Sequence, residues 1–151
     1  MEPSKDDLST LVTTIWSTLL GVTVKPPRSP SSKGERIQGR VAIAGAWTGA
    51  VTVEGPVVLA RIVAGMMMGK PPEDASHDDL RDAWAELTNV TGGNVKATLP
   101  SGCSLGLPSV RFLVEGGAEP ASGEVVIEAF FDCDAKIFRV RLETATATRE
   151  S

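Results

Sequence analysis

A carboxylate and an amide stand three residues apart near the middle of the chain, at Glu86 and Asn89. In a helix this spacing puts both side chains on one face, because residues three or four apart are surface neighbours. Asp82 and Gly93 continue the same stripe in either direction. The stripe is either a polar face open to solvent or a surface that offers hydrogen-bonding groups to a partner. The residues alone leave both interpretations open.

A long helix over residues 76–98, SHDDLRDAWAELTNVTGGNVKAT, is predicted to carry this pair. Ser76 and Asp79 have the spacing of a capping box at its start. Gly92 and Gly93 each cost roughly 1 kcal/mol in a helix interior, so the helix gains something from a small surface, such as close approach by another backbone. The opposite side has a stripe that can bury, formed by Leu80, Trp84, Leu87 and Thr91.

Other patterns of catalysis and metal binding are missing from the sequence. His77 is the one histidine, and no nucleophile and acid can be paired with it by spacing. No serine lies in a GxSxG turn, and TGGNVKAT lacks the spacing of a phosphate-binding loop. Asp78 and Asp79 are expected to stabilise the helix start, since a closed set of metal ligands is absent. We therefore expect no metal site and no cofactor of the protein's own.

Length and composition predict a single soluble domain over residues 1–151, with 42% hydrophobic and 23% charged residues. The net charge of −4 argues against a nucleic-acid partner. No apolar run could span a membrane and the N-terminus lacks the features of a signal peptide, so a cytoplasmic location without membrane contact is expected. Cys103 and Cys133 belong to no CxxC motif and are expected to be reduced, buried thiols.

Patterns in the rest of the sequence predict the helices and strands that hold the central helix in place. A first helix over residues 5–20 lies between a Ser4–Asp7 capping box and Gly21. An exposed loop is expected at 26–36 and a frayed tail at 145–151. The apolar face of the first helix is expected to comprise Leu8, Leu11, Val12, Ile15 and Leu19.

Alternating sequences predict two antiparallel hairpins, one over residues 37–55 and one over 125–142. Between them, residues 57–68 form a helix that is apolar almost all round. Its Met66–Met68 segment either packs in the core or contacts a partner. The order of these predicted helices and strands along the chain indicates an α+β domain with a largely antiparallel sheet and helices packed on one face. The outer sheet face or one edge is left for pairing with a second copy.

The central motif resembles the signature of the CheC and CheX phosphatases of bacterial chemotaxis, and the CheX branch most closely. That signature is an Asp or Ser, three residues, Glu, two residues, Asn, and a later Pro. It stands here as Asp82, Glu86, Asn89 and Pro108. The SLGLP segment also looks like the family's region after its active helix. The resemblance extends more weakly over residues 37–115 and implies a CheC-like fold.

The resemblance implies removal of the phosphoryl group from the aspartyl-phosphate of a CheY-like response regulator. By that analogy Asn89 orients the attacking water and Glu86 holds a lysine of the regulator, while Asp82 and Gly93 support docking. The acyl phosphate and the Mg²⁺ are then carried by the phosphorylated regulator. A single ExxN copy fits the CheX type, which implies a homodimer formed through the sheet.

Two other functions are consistent with the same sequence. One is a non-catalytic CheX-like module that binds a receiver or another partner in a two-component or chemotaxis pathway. The other is a structural dimer without a receiver partner.

Overall fold

The structure is a computed structural model, and it describes residues 2–27, 34–114 and 123–145. Most of the predicted 26–36 loop and of the predicted 145–151 tail lies outside these ranges. No helix in the described ranges is both long and apolar enough to cross a membrane. The described elements are α1 (Lys5–Leu20), β1 (Arg36–Gly45), β2 (Gly49–Pro56), α2 (Val57–Met68), a short 3₁₀ helix (Pro72–Asp74), α3 (His77–Lys96), β3 (Cys103–Leu105), β4 (Ser109–Leu113), β5 (Glu124–Cys133) and β6 (Lys136–Thr144).

The six described strands form one sheet in the order β3-β1-β2-β6-β5, and β4 also pairs with β1. Every pairing is antiparallel. The prediction of an α+β fold with a largely antiparallel sheet is confirmed, as are both hairpins. The sequence did not predict β3 and β4. These strands are three and five residues long, and they exist because the edge of β1 offers them backbone partners.

The first helix has the predicted bounds and caps. The Asp7 N–H donates to Ser4 Oγ at 3.0 Å, and Gly21 ends the helix in the left-handed region at φ 69°. The predicted apolar face is partly wrong, because Leu19 is 40% exposed and Trp16 is buried instead. Trp16 stacks on Phe138 with ring centroids 4.2 Å apart, so α1 is held by an aromatic contact with β6.

The second helix has its predicted bounds and divides its apolar residues between core and surface. Six of its residues are buried, and Met67 packs against the core. Val58 is 53% exposed and Met66 49%. The Met66–Met68 segment is therefore only partly core.

The β5–β6 hairpin turns at Asp134 and Ala135, which both have positive φ, as the right-handed twist of a two-residue hairpin favours. Val125 is 41% exposed, whereas Ile127, two residues later, is 9% exposed. A bulge between Val125 and Ile127 shifts the alternation at that point. The predicted 26–36 loop is one residue too long, because Arg36 already pairs in β1.

The outer face of the sheet holds a ladder of paired charges. Glu54 lies 2.8 Å from Arg36 Nε and 2.6 Å from Arg139 Nη2. The alternation of β6 places Arg139, Arg141 and Glu143 on this face, away from the helices. Arg141 and Glu143 are nevertheless buried, at 8% and 2% exposure. Each is paired with a charged side chain beside it, Arg141 with Glu128 and Glu143 with Arg40, and these paired groups limit one another's exposure.

The third helix is seated on β1 and β2 by three buried contacts. The Trp84 indole N–H donates to the Val53 carbonyl at 2.9 Å. Thr88, which is fully buried, lies directly over Gly39 of β1, where a Cβ would overlap its hydroxyl oxygen. Gly92 sits against Val41 in the same way, since a Cβ at Gly92 would overlap Val41 Cγ1. The backbones of α3 and β1 approach closely, so the contact needs a glycine on each element, Gly92 on the helix and Gly39 on the strand.

The two adjacent helical glycines have different surroundings. A Cβ at Gly92 would meet Val41 and, at 3.3 Å, Leu105 Cδ1. A Cβ at Gly93 would meet only Leu105 Cδ2, at 3.9 Å, which is ordinary contact. The close backbone approach expected from the sequence is thus made by the protein's own β1 at Gly92. Gly93 is left open.

Removing side-chain volume at Val41 and adding a methyl group at Gly92 tests this seating. Gly92→Ala is expected to lower the free energy of unfolding by about 1–2 kcal/mol, since overpacking outweighs the gain from replacing a helical glycine. Val41→Ala should cost about 2 kcal/mol by leaving a cavity. In the double variant the new methyl fills the vacated space, so the loss should be smaller than the sum of the single losses. Urea unfolding measures all three variants.

Gly93→Ala is the matched control for this experiment. With open space around it, this variant should gain up to about 1 kcal/mol of stability. Equal losses at Gly92 and Gly93, or a double variant that is merely additive, would contradict the seating described above.

Candidate functional site

The start of α3 is fixed by capping and by contacts with β4. The Asp79 N–H donates to Ser76 Oγ at 3.1 Å, and Asp79 Oδ2 accepts from the Ser76 N–H at 3.0 Å. Asp79 also accepts from Lys70 Nζ at 2.8 Å, and these bonds, led by that of Lys70, lower the pKa of its carboxyl group. Arg81 donates to the Val110 carbonyl at 3.1 Å. The predicted capping box is confirmed, and α3 begins one residue after its cap.

The predicted polar stripe lies on the outer side of α3. Asp82 and Glu86 are exposed, and Asn89 and Gly93 are half-buried. Glu86 and Asn89 lie one turn apart, which sets their Cβ atoms about 5–6 Å from each other. The structure therefore brings all four sequence-predicted residues onto one continuous surface. The buried side comprises the predicted Leu80, Trp84, Leu87 and Thr91, none more than 1% exposed.

Glu86 and Asn89 keep their polar groups unpaired. No hydrogen bond or ion pair links either side chain to another residue in the part of the chain that the structure describes. Asn94 on the same helix differs, because its amide donates to the Val90 carbonyl at 2.8 Å. An unpaired carboxamide offers two N–H donors and one carbonyl acceptor, and a carboxylate accepts up to several hydrogen bonds. The surface can thus bind a cation at Glu86 and orient a polar molecule at Asn89.

Two different flanks border this stripe. On one side runs the connector between β3 and β4, residues 106–108, where Pro108 is half-buried and Leu107 is 92% exposed. On the other side a hollow of about 380 Å³ lies between α1 and α3, lined in part by Leu11, Leu19 and Val90. The sequence singled out Pro108 only through its family motif, and it gave no reason to single out Leu107.

The remaining reactive groups lie apart from the stripe. Cys133 is buried, which raises the pKa of its thiol, whereas Cys103 is half-buried. The prediction that both cysteines are buried is thus confirmed only for Cys133, and both are free thiols. Within residues 2–27, 34–114 and 123–145, no three His, Cys, Asp or Glu side chains come together as a metal-binding group. His77 is exposed and stacks on Phe112 at 4.6 Å.

Solved structures of similar fold include several chemotaxis proteins. CheX from Desulfovibrio desulfuricans matches with a TM-score of 0.71 and 24% identity, over 91% of this chain and 95% of that chain. CheX from Vibrio vulnificus gives 0.70 and 18%, over 91% and 93%. A chain of the CheX–CheY–BeF₃–Mg²⁺ complex from Borrelia burgdorferi gives 0.68 and 18%, over 91% and 95%. Comparison with curated proteins found no match.

The family model described as chemotaxis phosphatase CheX matches residues 37–135. The matched region runs from β1 to the β5–β6 turn and contains the whole of α3 with its outer stripe. The predicted resemblance is confirmed: this chain belongs to the CheX family.

Proposed function

We propose that this protein accelerates loss of the phosphoryl group from the aspartyl-phosphate of a CheY-like receiver, with both proteins in the cytoplasm. The observation that carries the proposal is the unpaired carboxylate and amide on the outer stripe of α3, where the sequence resembles the CheX signature. The similar fold of a CheX chain crystallised with CheY, BeF₃ and Mg²⁺ supports a receiver as partner.

Asn89 is proposed to position the attacking water. Its amide accepts one hydrogen bond from the water and holds the oxygen in line with the phosphorus. The water oxygen bonds to phosphorus as the bond to the receiver's aspartate oxygen breaks, giving a free carboxylate, inorganic phosphate and a proton. Such positioning replaces a bimolecular encounter by an oriented one. The Mg²⁺ that stabilises the phosphoryl charge belongs to the substrate receiver.

Glu86 is proposed to hold a lysine of the receiver. It is exposed and has no cation of its own in the described residues, so its carboxylate can pair with an incoming ammonium group. Asp82, one turn earlier and also exposed, adds negative charge to the same docking surface. A charge-assisted contact of this kind fixes the orientation of the partner more than it contributes raw affinity.

Asn89→Ala tests the catalytic proposal. The variant should lose about 100-fold in the rate of receiver dephosphorylation, since an unpositioned water forfeits most of the advantage of orientation. Phosphate release from the phosphorylated receiver, with circular dichroism to confirm folding, measures the effect. Asn94→Ala is the matched control, because Asn94 is an exposed amide on the same helix that is already bonded to Val90.

Equal rates for the wild type and a folded Asn89→Ala variant would refute this role. Saturable receiver binding without faster phosphate loss by the wild type would favour the non-catalytic module instead. Glu86→Gln should act differently from Asn89→Ala, raising KM more than it lowers kcat, because it weakens docking.

Gly93→Ala tests whether the open side of α3 is covered by the receiver. The change is expected to leave the fold intact, since its methyl would meet only Leu105, at 3.9 Å. A closely docked backbone would clash with the methyl, so KM should rise about tenfold even though stability is retained or increased. Steady-state dephosphorylation measured beside thermal unfolding separates the two effects. An unchanged KM would show that the receiver does not approach Gly93.

We also propose that the protein is a homodimer that pairs through its sheet. Among the described strands β5 ends the sheet, and it exposes Val125, Val126 and Phe130 at 36–41%. Phe130→Asp should convert a dimer to a monomer in size-exclusion chromatography with light scattering, because it buries a charge at the contact. Val58→Asp, at an exposed apolar residue of α2, should leave the mass unchanged. A monomeric wild type would refute the dimer.

A further inference from the structure

The connector between β3 and β4 contains one extra residue. Ile43 pairs with Leu105, and Arg40 pairs with Ser109. The two paired positions are three residues apart on β1 and four residues apart on the other chain segment. The Gly106 N–H donates to the Ala42 carbonyl at 2.8 Å, which keeps the first part of the connector on β1. The chain therefore bulges within residues 106–108. Such bulges redirect side chains and are common beside active sites.

This bulge lies at the level of Asn89. Leu105 reaches Gly92 and Gly93, and the Val110 carbonyl is bound by Arg81, so the connector runs alongside α3 in the opposite direction. Leu105 pairs with Ile43 and Val110 pairs with Gly39, so this segment covers four residues of β1, about 13 Å. Arg81 reaches Val110 through its long side chain. Leu107 is then about 5 Å from Leu105 along this direction, which is the rise of three to four helical residues, so it lies beside the helical turn that holds Asn89.

Asn89 leans toward the connector. Trp84 is buried, so its direction from the helix axis points toward the sheet. Measured around the axis from Trp84 at about 100° per residue, Gly92 lies at about 80°, Asn89 at about 140° and Glu86 at about 200°. Asn89 is therefore turned to the same side of the helix as Gly92. A Cβ at Gly92 would lie 3.3 Å from Leu105 Cδ1, closer than one at Gly93, so the connector lies on the side of α3 to which Gly92 is turned. This agrees with the half-buried state of Asn89 and the exposure of Glu86. The amide thus belongs to the connector flank of the stripe.

Leu107 is an unusual surface residue in this position. It is 92% exposed, although its neighbours Leu105 and Pro108 are half-buried. A lone exposed leucine is ordinary on a protein surface. Here, however, its backbone is tied to β1 on both sides, and an anchor that is already ordered loses little conformational entropy when it binds. Together with Leu105 and the open Gly93, Leu107 places apolar surface beside the polar amide of Asn89.

We propose that Leu107 is a docking residue for the phosphorylated receiver, which seats against the β3–β4 connector and not in the hollow between α1 and α3. This inference rests on the proposed function. Four stripe residues are far fewer than the 20–30 residues that each side of a standard interface contributes, so the partner must cover a flank as well. The connector is the flank continuous with Asn89.

Leu107→Ala is the test, with Leu19→Ala as the matched control on the α1 flank. Leu107→Ala should raise KM for the phosphorylated receiver roughly tenfold and leave kcat within about twofold, because it removes binding that is uniform along the reaction. Binding of the receiver loaded with beryllium fluoride and Mg²⁺ should weaken by the same factor. Leu19→Ala should change neither value, and both variants should unfold at the wild-type temperature.

The outcomes separate this inference from the proposed function. If Asn89→Ala loses activity while Leu107→Ala changes neither KM nor binding, the docking inference is wrong and the proposed function stands. A rise in KM at Leu19→Ala alone would place the receiver on the α1 flank and overturn the inference. If the wild type does not accelerate phosphate loss, the proposed function fails. In that case the docking inference is tested by binding alone: it stands if Leu107→Ala weakens binding of the receiver loaded with beryllium fluoride and Mg²⁺, and it is wrong if binding is unchanged. If the wild type does not bind this receiver at all, the proposed function and the docking inference are both refuted.

Discussion

The seating of α3 on β1 and β2 is the constraint on which the rest of the structure depends. A buried indole N–H needs an acceptor, and Trp84 finds one in the Val53 carbonyl at 2.9 Å. That bond fixes how the helix is rotated. Gly39 and Gly92 then allow Thr88 and Val41 to close the gap, which fixes how deep the helix lies. Because a tightly packed contact has few alternative arrangements, the outer stripe is held in one orientation.

This rigidity matters for a site that contributes so few groups. A site that acts through the amide of Asn89 and the carboxylate of Glu86 works only if both groups are held accurately, and a helix packed on a sheet holds side chains more accurately than a loop does. Under the proposed function the receiver brings the reacting bond and the metal ion, so position is the main contribution of this chain. The three buried contacts of α3 are then as much a part of the site as Glu86 and Asn89.

The sequence predicted those parts of the fold that local chemistry decides. Ser4 with Asp7 marks the start of α1, and Ser76 with Asp79 marks the start of α3, because a capping box needs only two residues three apart. The sequence did not predict the short strands β3 and β4, because they form only by pairing with the edge of β1, which is distant along the chain. Nor did it separate Gly92 from Gly93, since periodicity gives a residue's direction and not what lies opposite. The exposure of Leu107 follows from a one-residue mismatch between strands, which only the register reveals.

Charge alone would not have distinguished the candidate site from the outer face of the sheet. Both surfaces read as polar residues at regular spacing, RVRLE along β6 and Asp82 to Asn89 along α3. The charged groups of β6 are paired with neighbours, although Arg139 Nε is buried without a hydrogen bond, and Glu54 of β2 accepts from two arginines. On α3 the side chains of Glu86 and Asn89 make no such bonds within the described residues. A partner that pairs with groups already bonded within the protein must first break those bonds, whereas Glu86 and Asn89 only exchange hydrogen bonds with water for bonds with the partner, so they are the groups available for binding.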